Sequence, residues 1–106
     1  KVIEVVMLKI PLDINKEKVR VFCKKYHIVY LALFGSILTS NFTASSDVDV
    51  LVKFEEEHIP TLFDLVDIET ELTAIVGRQV DLKTPNDLSP YFRGEVLANA
   101  ATIYDR

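Results

Sequence analysis

The chain has 106 residues, 49% of them hydrophobic and 26% charged, a formal net charge of -4 and one cysteine. That length suits a single domain with a genuine core. The acidic balance argues against broad nucleic-acid binding, which needs a basic face. Lone Cys23 excludes an intramolecular disulfide, and no apolar run reaches the ~20 residues needed to cross a bilayer, so the expectation is a cytoplasmic protein without membrane contact.

The chain opens Lys1-Val2-Ile3-Glu4-Val5-Val6, and its only methionine is Met7. Residues 1–6 therefore read as an upstream or vector-derived extension, and residues 7–106 as one domain. After Pro11, a helix is predicted from Asp13 to about Tyr26, with Ile14, Val19, Phe22 and Cys23 as its inward stripe. Lys16, Lys18, Arg20, Lys24 and Lys25 form its solvated face, which could also meet an acidic partner.

Val29 to Phe34 reads as a buried strand that ends at Gly35-Ser36. Thr39 to Ser46 is polar and short-sided, a surface loop before a second strand, Val48 to Phe54. Glu55-Glu56-Glu57-His58-Ile59-Pro60 stops that strand, and its acids read as solvated surface. Thr61 caps a helix running through Val76, with Leu62, Leu65, Val66, Glu69, Leu72 and Val76 as its largely apolar face.

Gly77 ends the helix, and Gln79-Val80-Asp81-Leu82-Lys83 is a short alternating strand. Ser89 and Pro90 then start a final helix, Tyr91 to Tyr104. His27 and His58 lack partners at zinc-ligand spacing and read as helix-end or loop residues. Alternating elements of this kind give an α/β or α+β fold.

The chemistry concentrates at two turns. Side chains at i and i+2 of a strand share a face, so Asp47 and Asp49 converge while Val48, Val50 and Val52 point away. Paired carboxylates repel unless a cation lies between them, and hard oxygen donors suit Mg²⁺ or Mn²⁺ bound together with substrate phosphates. Gly35 allows a tight turn through which a phosphate can approach the following amides, assisted by the Ser36 hydroxyl if a short helix opens there. Taken singly, Gly-Ser is an ordinary turn and Asp-x-Asp is solvated edge charge. Joined in this order between two apolar strands, they point to a site.

This arrangement resembles the polymerase-beta-like nucleotidyltransferases. Leu62-Phe63-Asp64-Leu65, Gly77-Arg78-Gln79-Val80-Asp81-Leu82 and Leu88-Ser89-Pro90-Tyr91-Phe92-Arg93 look specifically like the minimal nucleotidyltransferases, the antitoxin partners of HEPN-domain toxins. The resemblance runs from about Met7 to the C-terminus. It implies a small mixed, twisted sheet of three to four strands, helices mainly on one face, and the site on the opposite, open face.

It also implies a two-metal transfer of AMP from ATP, with two Mg²⁺ ions and Mn²⁺ as a substitute. Gly35, Ser36 and Ser46 would bind the nucleotide; Asp47, Asp49 and a third carboxylate would bind the metals and act in catalysis. Asp81 fits that third position, although alone it reads equally as a plain surface Asp at a strand end. The implied acceptor is a hydroxyl, a tyrosine above all, on a HEPN toxin, with homo- or hetero-oligomers open. Many members carry arginine just after Gly-Ser, where this chain has Ile37-Leu38-Thr39-Ser40. That departure leaves a second reading: an antitoxin that masks its partner by contact and uses the nucleotide site weakly or not at all.

Overall fold

The computed structural model describes residues 12–106. The expected extension, residues 1–6, and the expected domain start at Met7 lie outside the described residues. Three α-helices and four strands follow in the order α1 (Lys16–Lys25), β1 (Ile28–Phe34), β2 (Val48–Phe54), α2 (Leu62–Val76), β3 (Val80–Lys83), α3 (Pro90–Asn99) and β4 (Ala101–Asp105).

The strands form one mixed sheet in the order β3-β2-β1-β4. β1 pairs antiparallel with β2 and β4, whereas β2 and β3 run parallel. Two-residue alternation divides the sheet into two faces. Leu31, Leu33, Val48, Val50, Val52 and Val80 face α1 and α2 and pack with Val19, Phe22, Cys23, Ile68, Leu72 and Val76 into the core. On the reverse face Ala32 and Leu51 are cross-strand partners and fully buried. Asp49 shares that reverse face with Leu51.

The helix termini follow local signals. Asn15 accepts the Lys18 N–H at 3.0 Å and starts α1, three residues later than the Asp13 boundary expected from the sequence. An Asn at this position satisfies an orphan donor of the first turn, which Asp13 is too far upstream to do. Thr61 and Asp64 form a reciprocal capping box at the start of α2, and Gly77 closes that helix with φ 81°.

Two further expectations are corrected. The inward face of α2 is Ile68, Leu72 and Val76, while Leu62 and Val66 are exposed at 80% and 62%. The C-terminal half of α2 lies on the sheet, and Leu62 and Val66 at its N-terminal end are left in solvent. Glu69, expected to be a tolerated charge, accepts the Leu82 N–H at 3.1 Å, and Thr73 Oγ1 accepts the Val80 N–H at 3.1 Å. These two side chains saturate the outer edge of β3, where open N–H groups would otherwise invite pairing.

The second correction concerns the last helix, which ends at Asn99 instead of continuing to Tyr104. Ala100 turns extended, and Ala101–Asp105 pairs with β1, Leu33 opposite Ala101 and Tyr30 opposite Asp105. Thr102, Ile103 and Tyr104 favour a pleated surface, and the free edge of β1 supplies one. Arg93 anchors α3 by donating to the Pro85 and Leu88 carbonyls at 2.8 and 3.0 Å. Among the described residues, no helix is long and apolar enough to cross a membrane.

Candidate functional site

The candidate residues gather where β1 ends and β2 begins. Gly35 follows β1 with φ 78°, a left-handed conformation that a side chain would strain. It opens a single 3₁₀ turn, Gly35–Leu38, the short helix expected at Ser36. A Cβ on Gly35 would collide with the Asp49 carboxylate, whose Cγ would lie 3.2 Å away. Glycine is therefore required twice here, for backbone conformation and for room beside an acid.

Asp49 is opposite Phe34 on β1 and beside Asp81 on β3, in register across the parallel pair. Asp47 precedes it by two residues and is exposed, whereas Asp49 and Asp81 are half-buried. The sheet thus brings Asp49 and Asp81 to one face, and Asp47, just ahead of β2, is close enough for its charge to act on Asp49, although the oxygens of the three acids do not all lie within 4.8 Å of one another. Burial pushes the Asp49 carboxyl above its ordinary value, and the neighbouring charges of Asp81 and Asp47 push it further; Lys83 acts in the opposite direction. Unfavourable charge held on one face is what a bound cation would relieve, and an all-carboxylate donor set fits a hard divalent ion such as Mg²⁺.

Three basic residues could replace the arginine absent after Gly35-Ser36, and the structure distinguishes them. Lys83 Nζ is 3.0 Å from Asp81 Oδ1, and this bond pushes the ammonium upward from its ordinary value. Arg78 is committed elsewhere: it donates to the carbonyls of Thr43, Ala44 and Ser46 at 2.9, 3.1 and 2.6 Å and covers the Phe42 ring. Lys53 stands over the Tyr30 ring. Position 37 cannot contribute charge, because Ile37 is buried in the core.

The loop between the two turns is braced as well as polar. The Thr39 hydroxyl donates to the Ser36 carbonyl at 2.8 Å, and the Ser46 hydroxyl accepts the Thr43 N–H at 3.0 Å. Together with Arg78, these bonds fix the path from Ser36 to Asp47. Beside Gly35, a cleft of about 550 Å³ opens between the 3₁₀ turn and α3, lined in part by Phe34, Leu38, Phe92 and Val96. Nothing in the local sequence signalled this cleft, because α3 reaches the turn only through the tertiary fold.

The family model described as polymerase beta, nucleotidyltransferase matches residues 17–106. The chain is 34% identical over 92 residues to the protein adenylyltransferase MntA of Thermococcus cleftensis, covering 87% of this chain and 88% of that one. A candidate protein adenylyltransferase of Methanocaldococcus jannaschii, MJ0435, is 31% identical over 88 residues, covering 83% and 92%. A solved structure described as a candidate minimal nucleotidyltransferase superposes with a TM-score of 0.65 at 33% identity, covering 80% of this chain and 85% of its own. A toxin-antitoxin structure with AMP-PNP superposes with a TM-score of 0.67 at 17% identity, covering 88% and 75%, which is likeness of fold.

Proposed function

The chain belongs to the polymerase beta nucleotidyltransferase family, and on that basis we propose that it transfers AMP from ATP to a hydroxyl of a partner protein. The partner in this reading is a HEPN-type toxin, the acceptor a tyrosine, and the outcome is neutralisation of the toxin. The observation that carries the reading is the alignment of Asp49 with Asp81 across β2 and β3, with Asp47 just ahead of β2 and Gly35 packed closely on the Asp49 carboxylate. Relatives named as protein adenylyltransferases support the choice of acceptor class.

In this mechanism the Gly35 and Ser36 amides and the Ser36 and Ser46 hydroxyls receive the triphosphate. Asp47, Asp49 and Asp81 would hold Mg²⁺, which when bound supplies charge neutralisation on the phosphates and in-line alignment of the reacting oxygens. The acceptor oxygen forms a bond to the α-phosphorus as the bond to the β-phosphate oxygen breaks, and pyrophosphate leaves. Asp81 takes the acceptor proton. Lys83, held on Asp81, is the nearest counterpart of the missing arginine and offers charge to the departing pyrophosphate.

The test is incubation with labelled ATP, Mg²⁺ and the product of the adjacent gene, followed by intact-mass measurement of both proteins. The expected result is a mass gain of one or more AMP groups on the partner, lost in Asp81→Asn while ATP affinity falls only modestly. Transfer at near wild-type rate in Asp81→Asn would remove that residue from the site. A second reading, masking by contact, is favoured by one observation: Ile37 is buried where many family members place a cation.

A further inference from the structure

His27 and His58 are far apart in sequence, yet the fold brings them together with Glu55 at the end of the β1–β2 hairpin away from Asp49. Ile28 pairs with Phe54 at this end and Phe34 with Asp49 at the other, so roughly 20 Å of strand separates the two clusters. His27 sits between α1 and β1 with φ 58°, a left-handed conformation uncommon outside glycine. Its carbonyl accepts the Glu55 N–H at 2.9 Å, and the Glu55 carbonyl accepts the His58 N–H at 3.0 Å. Backbone hydrogen bonds thus tie all three residues together.

The side chains converge as well. His27 Nδ1 is 3.0 Å from Glu55 Oε2, and the two imidazoles stack with centroids 3.5 Å apart and planes 1° from parallel. One ligand atom from each of the three residues lies within 4.8 Å of the others. Arg106 Nη1 occupies the second Glu55 oxygen at 3.1 Å, which leaves Oε2 to face the histidines. Lys25, the cation bordering the adjoining pocket, is engaged by Glu71 at 3.3 Å.

We propose that His27, Glu55 and His58 form a binding site for a borderline-soft divalent transition metal of the Zn²⁺ type, separate from the acidic cluster around Asp49. Two imidazoles and one carboxylate are a donor set that Zn²⁺ accepts, with a fourth position left to solvent. Mg²⁺ is disfavoured because it seeks oxygen ligands and keeps its waters. A nitrogen lone pair lies in its ring plane, so the stacked rings must rotate apart to grip one ion. Exposed His58, flanked by exposed Glu57 and Ile59, is the residue free to do so. Arg106 on the other Glu55 oxygen supplies the outer support that orients a ligating carboxylate. Occupied, the site would join the α1–β1 turn, the end of β2 and the loop into α2.

The test uses protein without a polyhistidine tag, stripped with EDTA and titrated with ZnCl₂, then with MgCl₂. One Zn²⁺ per chain should bind and raise the melting temperature, and the Zn²⁺-dependent shift should persist in an Asp47→Asn, Asp49→Asn variant. His58→Gln and His27→Asn should each weaken Zn²⁺ binding at least about tenfold, the scale on which support of a metal site is measured. Asn tolerates the left-handed backbone at position 27, and His58 lies in an exposed loop, so both variants keep the fold. Zinc should also move the imidazole NMR signals of both histidines. Binding unchanged in both variants, binding abolished by the aspartate substitutions, or no binding would overturn the assignment.

Discussion

Asp49 on β2 and Asp81 on β3 are register partners in parallel strands, so their carboxylates are set on one face by backbone pairing. Asp49 carries the cost: burial first, then Asp81 and Asp47, raise its carboxyl above the ordinary 3.8. A folded value above the unfolded one means that the contribution of Asp49 is complete below about pH 3.8 and is lost as pH rises. At neutral pH the ionised group works against folding. Asp49→Asn should therefore raise the melting temperature of metal-free protein, increasingly so from acid to neutral pH, while abolishing the extra stabilisation by Mg²⁺ with ATP. A lower melting temperature for the variant in EDTA at pH 7 would show that the Asp49 charge is satisfied locally.

Gly35 is tested by its interaction with the same acid. Gly35→Ala must hold an L-residue at φ 78° and displace the Asp49 carboxylate, at a cost of about 1–3 kcal/mol in denaturant unfolding. Strain and collision separate in a double-mutant cycle, because Asp49→Ala removes the collision alone. The alanine at 35 should cost clearly less in the Asp49→Ala background. Equal costs in both backgrounds would mean that the turn alone, and not its closeness to Asp49, demands glycine.

The parts legible in the sequence are those governed by near neighbours. β2 runs Val48–Phe54 as its alternation predicts, and Thr61 caps α2 as its position predicts, with Asp64 completing a box that spans four residues. β4 was not legible: Val96, Leu97, Ile103 and Tyr104 are compatible with a helix, and only the open edge of β1 makes Ala101–Asp105 a strand. The rotation of α2, the bond from Glu69 to β3 and the meeting of His27 with His58 depend likewise on partners distant in sequence. In the acidic cluster, the residue types were readable in the sequence. The placement of Lys83 on Asp81, and of Arg78 on the loop carbonyls, required the tertiary structure.

Cys23 gives a pH prediction independent of the site. It is fully buried, and burial pushes its thiol up to about 12 from an ordinary 9.0. The folded state thus retains a proton that the unfolded thiol loses, so the contribution of Cys23 is complete below about pH 9 and is lost between pH 9 and 12. Native protein should react slowly with a thiol reagent at pH 8 and rapidly in urea. Cys23→Ala should unfold more readily at pH 7 by about 1 kcal/mol, yet lose less stability than wild type as the pH rises above 9. Rapid labelling of the native state would place Cys23 on a face that opens without global unfolding.

Transfer and masking make opposite forecasts for one variant. Modification of a tyrosine by AMP adds a phosphodiester charge and a bulky base, enough to block an adjoining site on the partner by charge and volume. If transfer neutralises the toxin, the Asp47→Asn, Asp49→Asn protein should fold, bind its partner and fail to protect cells, with the partner's mass unchanged. Lys83→Met should reduce the rate at which the partner gains AMP mass, since Lys83 is paired with Asp81. Full protection by the double variant, with no AMP on the partner, would favour masking and make buried Ile37, standing where many members carry a cation, the structural reason for weak chemistry.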